Sequence, residues 1–145
     1  MNATTRDHES RDYLVFRVGD VCCGVDVGVV QEINRNMDIT RVFLAPEHVR
    51  GVINLRGRIV TVVDLARRLG VETALPPESP KNVVVSSRGE LVGLLVDDVD
   101  DIVQAGDGLL RPPPHLPERF GACALGVLPS EDRLVVVLDV DEVAR

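Results

Sequence analysis

Cys22, Cys23 and Cys123 are an odd number and no secretion signal accompanies them, which argues against a disulfide framework. A zinc site needs about four ligands at favourable spacings, and His8, His48 and His115 are scattered. Cys22 and Cys23 sit in an apolar run, where neighbours on a strand face opposite sides, so the cysteines read as small buried hydrophobes. Nothing resembles a nucleophile elbow or a glycine-rich phosphate cradle. The acidic run Asp97-Asp98-Val99-Asp100-Asp101 lacks the alternating ligands and central glycine of a calcium loop and reads as a guarded strand edge. The residues therefore assemble no catalytic constellation, and neither a metal nor a cofactor is expected.

What remains is a hairpin motif, Asn54-Leu55-Arg56-Gly57, and the elements around it. A chain of 145 residues is one ordinary domain or two small lobes on one core. Twenty-three acidic against 16 basic residues give a net charge of -7, which repels nucleic-acid phosphates and anionic membranes alike. No apolar run approaches the roughly 20 residues of a membrane helix, so no membrane insertion is expected, and the polar first dozen residues predict a cytoplasmic protein.

Short Val-, Ile- and Leu-rich runs between Gly, Pro and charged turns predict an all-β protein of ten strands: Tyr13–Val18, Val21–Asp26, Thr40–Leu44, Val52–Leu55, Arg58–Asp64, Asn82–Ser87, Leu91–Val96, Asp101–Gln104, Ala124–Leu128 and Arg133–Asp139. Gly19-Asp20, Arg56-Gly57 and Gly89-Glu90 read as hairpin turns. Brief helices are expected at Val27–Asn34, Pro46–Arg50, Leu65–Leu69 and Val140–Ala144.

The halves resemble each other. Shifted by 75 positions, the segment from Gly51 to Asp64 lies over Gly126 to Asp139 with Gly, Val, Arg and the closing Asp matching, and shifted by 70 the first hairpin lies over the fourth. The inference is a duplicated five-strand unit, each copy closing into a small barrel that hides its edges. The domain reading is a tail at 1–12, a first lobe at about 13–70, a connector at 71–80, a second lobe at about 81–139 and a short C-terminal helix at 140–145. Duplication also serves as a control. Asn54-Leu55-Arg56-Gly57 becomes Pro129-Ser130-Glu131-Asp132 in the second copy, so the tip arginine is spare for function.

Five pieces in order resemble the CheW family of chemotaxis adaptors: Tyr13-Leu-Val-Phe16, Gly24-Val-Asp26, Val30-Gln-Glu-Ile-Asn34, Val49-Arg-Gly-Val-Ile-Asn-Leu-Arg-Gly57 and Val62-Val-Asp-Leu65. The resemblance implies a CheW-like fold of two intertwined five-stranded SH3-like barrel lobes, no enzymatic activity, and a cytoplasmic adaptor recruited to membrane-associated receptor arrays. It implies two partners, the cytoplasmic tip of methyl-accepting chemoreceptors and the regulatory domain of a CheA-type histidine kinase. Carried over by position, Val30, Glu32, Arg56, Val99 and Ile102 would line a receptor groove between the lobes. Val27 and Ile33 would form an exposed apolar rim for kinase, and Arg111 and Leu116 would mark a second kinase surface. The segment from His115 to Phe120 is shorter than is usual in the family, with Leu116 near the place of an aromatic. Glu32, on the expected short helix, is predicted to pair with Arg56 at the hairpin tip. Two other readings stand beside this one: a module that binds kinase without receptor coupling, and a small ligand-binding β-barrel.

Overall fold

The structure, a computed structural model, describes residues 11–35, 38–72, 80–105, 111 and 115–145. Most of the expected tail and connector, and the prolines at 112–114, lie outside the described residues. Ten strands are described: β1 (Asp12–Val18), β2 (Val21–Asp26), β3 (Val30–Asn34), β4 (Val49–Leu55), β5 (Arg58–Asp64), β6 (Lys81–Ser87), β7 (Glu90–Val96), β8 (Asp98–Gln104), β9 (Ala124–Ser130) and β10 (Arg133–Leu138). Three short helices join them: α1 (Leu65–Leu69), α2 (Glu118–Cys123) and α3 (Val140–Val143).

The strands form two five-stranded sheets, ordered β8-β1-β2-β10-β9 and β3-β6-β7-β5-β4. Pairing is antiparallel except where β10 meets β2 and β5 meets β7. This order corrects the expected lobes at 13–70 and 81–139. Each half lends its opening hairpin to the other: β1–β2 lies with β8, β9 and β10, and β6–β7 lies with β3, β4 and β5. Hydrophobic patterning states which face of a strand is buried, not which strand lies beside it, so the exchange leaves no local trace.

Alternation sorts the side chains into three cores. Leu14, Phe16, Val83, Val85, Leu94 and Val136 belong to a shared core. Their neighbours Tyr13, Val15 and Val135 fill the first sheet's own cluster, and Val60, Val62, Val84 and Leu95 fill the second's. The inner strands are thus buried on both faces, which is why they read as unbroken apolar runs. Cys23 joins the shared core and Cys22 packs against the first sheet's cluster, on opposite sides as their adjacency predicts. Burial lifts the Cys23 thiol to about 12.

The duplication is visible in the ladders. β4 carries a bulge where Val49 faces Val63 and Gly51 faces Val62, and β9 repeats it 75 positions on, Ala124 facing Leu138 and Gly126 facing Val137. Asp64, the last residue of β5, and Asp139, one past β10, cap α1 and α3, accepting from the N–H of Arg67 and Glu142 at 3.3 Å each. The hairpin equivalence needs correction from 70 to 69, since the Val18–Val21 turn matches the Ser87–Glu90 turn. One residue matters at a period of two: Phe16 then falls on Val85, both in the shared core, instead of on Ser86.

Four local expectations also change. Val27–Asn34 is a single 3-10 turn at Val27–Val29 followed by β3, because Asp26 accepts from the Gly28 N–H at 2.8 Å and the β-branched residues beyond pair with β6. Pro46–Arg50 makes one turn, Val49 N–H to Pro46 carbonyl at 2.9 Å, before Val49 enters β4. Thr40–Leu44 is reduced to a bridge between Thr40 and Val52, since Leu44 turns the chain at φ 62°. The predicted Gly89-Glu90 turn is Arg88-Gly89, with φ 52° and 82°, matching Arg56-Gly57 at 51° and 85°. Helix α2 went unpredicted, although Pro117-Glu118 is an ordinary helix start.

Gly51 and Gly57 both have positive φ, 148° and 85°, but a Cβ at Gly51 would overlap the Thr40 carbonyl oxygen whereas one at Gly57 meets nothing. Gly51→Ala should lose about 2 kcal/mol or more in urea denaturation, with overpacking added to backbone strain. Gly57→Ala should lose about 1 kcal/mol from backbone strain alone.

Candidate functional site

The second sheet ends at β3 on one side and β4 on the other, and the sheet curls until the β4–β5 turn stands beside β3. A bulge at Gln31 divides β3. Val30 faces Val85 and Ile33 faces Val83 on the shared-core side, while Glu32 faces Val84 on the side of the second sheet's cluster. There Glu32 Oε1 accepts from Arg56 Nη1 at 2.5 Å. The expected pair is present, carried by a strand and not by a helix. Arg56 and Gly57 form the tip in the left-handed region, and the Asn54 side chain accepts from the Gly57 N–H at 2.9 Å, so Asn54 sets the turn that aims the arginine. A cavity of about 350 Å³ opens here, lined by Gln31, Glu32, Leu55, Arg56, Arg58 and Leu91.

A polar relay runs inward from the pair. Asn34 Nδ2 donates to Glu32 Oε2 at 2.8 Å, and Asn82 Nδ2 donates to Asn34 Oδ1 at 3.3 Å. Asn82 is fully buried in β6 against Gly93, where any Cβ would overlap its amide. Arg56, then Asn34, hydrogen-bonds the Glu32 carboxylate and holds its pKa below the ordinary glutamate value. Sequence reading missed Asn34 and Asn82 as members of this site. Their signal was an asparagine at one end of each of two paired strands.

The duplicate seam supplies a comparison. At the positions of Glu32, Asn34 and Asn82 it carries Asp101, Val103 and Tyr13, so the relay exists in one copy only. An ion pair nevertheless recurs: Asp101 Oδ1 accepts from Arg133 Nη2 at 2.8 Å, and Asp100 lies 3.5 Å from Arg133 Nη1. The tip arginine is still confined to the first copy, because Arg133 is the counterpart of Arg58, 75 positions on, and not of Arg56. The difference lies in exposure. The Arg56 side chain is 74% exposed and Arg133 25%, so one seam presents a guanidinium where the other covers it.

The remaining site residues divide. Val30 and Val99, equivalent in the duplication, are partly buried against the shared core, while Ile33 and Ile102, also equivalent, are 43% and 57% exposed beside them. Glu32 and Arg56 sit on the opposite face of β3 from Val30 and Ile33. Val27 is not an exposed rim: it packs against the shared core, as does Leu116. Arg111 is exposed and bridges Val127 of β9 through backbone bonds of 3.0 and 2.9 Å. Phe43 and Leu44, unassigned from sequence, stand fully in solvent. All of the acidic run but Asp97 opens the outer edge strand β8, with Asp98 bound by Lys81 and Arg17, and Asp100 by Arg17 and Arg133. Among the described residues no group of His, Cys, Asp and Glu is arranged to hold a metal ion, and no helix is long and apolar enough to cross a membrane. The seam offers charge, hydrogen bonds and apolar floor, the means of docking a protein surface.

Residues 12–145 match the model of the CheW-like domain. The chain is 37% identical over 134 residues to the chemotaxis protein CheW of Rhizobium meliloti (strain 1021), covering 92% of this chain and 86% of that one. It is 31% identical over 133 residues to the chemotaxis protein CheW of Thermotoga maritima, covering 91% and 86%. The crystal structure of the scaffolding protein TtCheW from Thermoanaerobacter tengcongensis superposes with a TM-score of 0.84 at 26% identity, covering 92% and 91%.

Because the folded Glu32 pKa is lowered, the pair's contribution to stability is present above the unfolded glutamate value and is lost as pH falls through the folded one. In ¹³C NMR titration the Glu32 carboxyl should titrate below an exposed glutamate, move up in Asn34→Ala and move up further in Arg56→Ala. Identical midpoints in all three proteins would show that the relay does not act on it.

Proposed function

This chain belongs to the CheW-like domain family, a family of noncatalytic chemotaxis scaffolds, and we propose that it couples the cytoplasmic tips of methyl-accepting chemoreceptors to the regulatory domain of a CheA-type histidine kinase. The reading is supported by the seam between β3 and the β4–β5 turn. Of two duplicated ion-paired seams, this one exposes its guanidinium, backs it with a polar relay and borders a cavity with an apolar floor at Leu55 and Leu91. The Asp101–Arg133 seam keeps its ion pair with neither the asparagine relay nor the exposed guanidinium.

On this proposal Glu32 and Arg56 meet the receptor, with Val30, Val99 and Ile102 along the groove between the sheets. Kinase meets the second sheet at Ile33 of β3, and Arg111 with Leu116 mark the second kinase surface. Charge at such a contact sets register and partner choice more than bulk affinity.

Arg56→Glu places two carboxylates together at an exposed site, so melting should stay within a few degrees of the unchanged protein. Receptor fragments should no longer co-sediment with kinase through this variant, while its binding to the isolated kinase regulatory domain persists. Loss of both interactions in a folded variant would assign the arginine to kinase, and normal co-sedimentation would remove it from coupling.

Ile33→Asp is the corresponding probe of the kinase surface, because Val27→Asp would place a charge against the shared core and unfold the protein. Calorimetry should show kinase affinity weakened by about 2 kcal/mol if Ile33 is a central anchor. Unchanged affinity would exclude it.

A further inference from the structure

Away from the coupling seam, α1 and α2 pack together beside the turn that precedes β4. A cavity of about 180 Å³ opens between them, lined by Glu47, His48, Arg67, Arg68 and Arg119. Four of its five lining residues are basic in a chain of net charge -7. Arg67 is neutralised by Glu47 at 3.0 Å and Asp64 at 3.8 Å. Arg68 and Arg119 are held differently. Arg68 donates to the backbone carbonyls of Val143 at 3.1 Å and Glu142 at 2.7 Å, and Arg119 donates to the carbonyl of Arg67 at 3.1 Å. Carbonyl oxygens anchor both guanidiniums, Arg68 by two bonds and Arg119 by one, without cancelling their charge. The neighbouring carboxylates are directed elsewhere, Glu142 to Arg145 at 3.2 Å and Asp139 to the α3 N-terminus.

We propose that this cleft binds a dianionic oxyanion of the phosphate type, gripped by Arg68 and Arg119 with His48 as a third donor. Two fixed, uncompensated guanidiniums match two negative charges, and their planar forks suit an oxyanion's geometry. Burial first, then the charges of Arg68 and Arg119, hold the His48 pKa below the ordinary value, which places its ring within reach of both guanidiniums. Arg119 comes from the second half of the chain and His48 and Arg68 from the first, so a bound anion would clamp the halves together.

The test follows the His48 ring proton by NMR while inorganic phosphate is added to the intact protein at constant ionic strength set with sodium chloride, which removes general screening. Phosphate should move the resonance saturably and raise the His48 titration midpoint. Arg67, Cys123, Asp139, Glu142, Asp64 and Glu47 are the other ionisable groups around the cleft, and none of them is expected to change its partner. Arg119→Gln should weaken phosphate binding by about tenfold or more, the scale of one hydrogen bond to a charged group, with melting in phosphate-free buffer unchanged. Arg68 also holds α3, so its replacement endangers folding; His48→Gln, followed by ³¹P line width, is the second variant. Phenyl phosphate separates the sources: binding as tight as inorganic phosphate points to a phosphate ester, and binding of inorganic phosphate alone points to the free ion, either supporting the site. No saturable effect of either probe, or full affinity in Arg119→Gln, would overturn it.

Discussion

The shared core is the constraint on which the rest depends. Phe16, Val83, Val85, Leu94 and Val136 meet in one cluster that neither half of the chain can complete. Each half contributes a hairpin buried on both faces, and a strand of that kind must be flanked within its sheet as well as covered above and below. Exchange of hairpins meets both demands at once. It also commits the chain to folding as one unit, since a lobe without the other half's hairpin is left with open inner edges.

Two seams follow from that arrangement, and duplication makes them comparable. Both carry a carboxylate on the edge strand and an arginine on the adjoining hairpin. In the first sheet the arginine is covered and the seam is a brace. In the second sheet the arginine sits at the tip, and a line of amides links its carboxylate to Asn82 inside the sheet. A rigid base under an exposed charge lowers the cost of ordering it on binding, so a contact there is specific without being large. Gly93 makes room for that base by having no Cβ beside the Asn82 amide.

Much of this was legible in the residues. β2, β5 and α1 match their predicted bounds. The bulge at Gly51 and Gly126 and the caps at Asp64 and Asp139 stand behind the 75-residue repeat. The Glu32–Arg56 pair was legible too. The exchange was not, because sheet partners thirty or more residues apart leave no mark on a period of two. Val27–Asn34 misled because apolar residues at 27, 30 and 33 mimic a helix face, while their β-branching belongs to a strand. Val27 and Leu116 pack against the shared core, a partial burial that their positions in the sequence do not reveal. The Asp101–Arg133 pair was hidden because its arginine is the counterpart of Arg58, while the first seam uses Arg56, two positions earlier.

The central claim is that the two seams have parted in role, one for a partner and one for the fold. Methyl-labelled protein gives a direct view: Leu55 and Leu91 line the cavity beside Arg56, and the exposed Leu134 adjoins Arg133 at the other seam. On titration with a receptor-tip fragment, the account predicts shifts at Leu55 and Leu91 and none at Leu134. Shifts at Leu134 with Leu55 and Leu91 silent would contradict it.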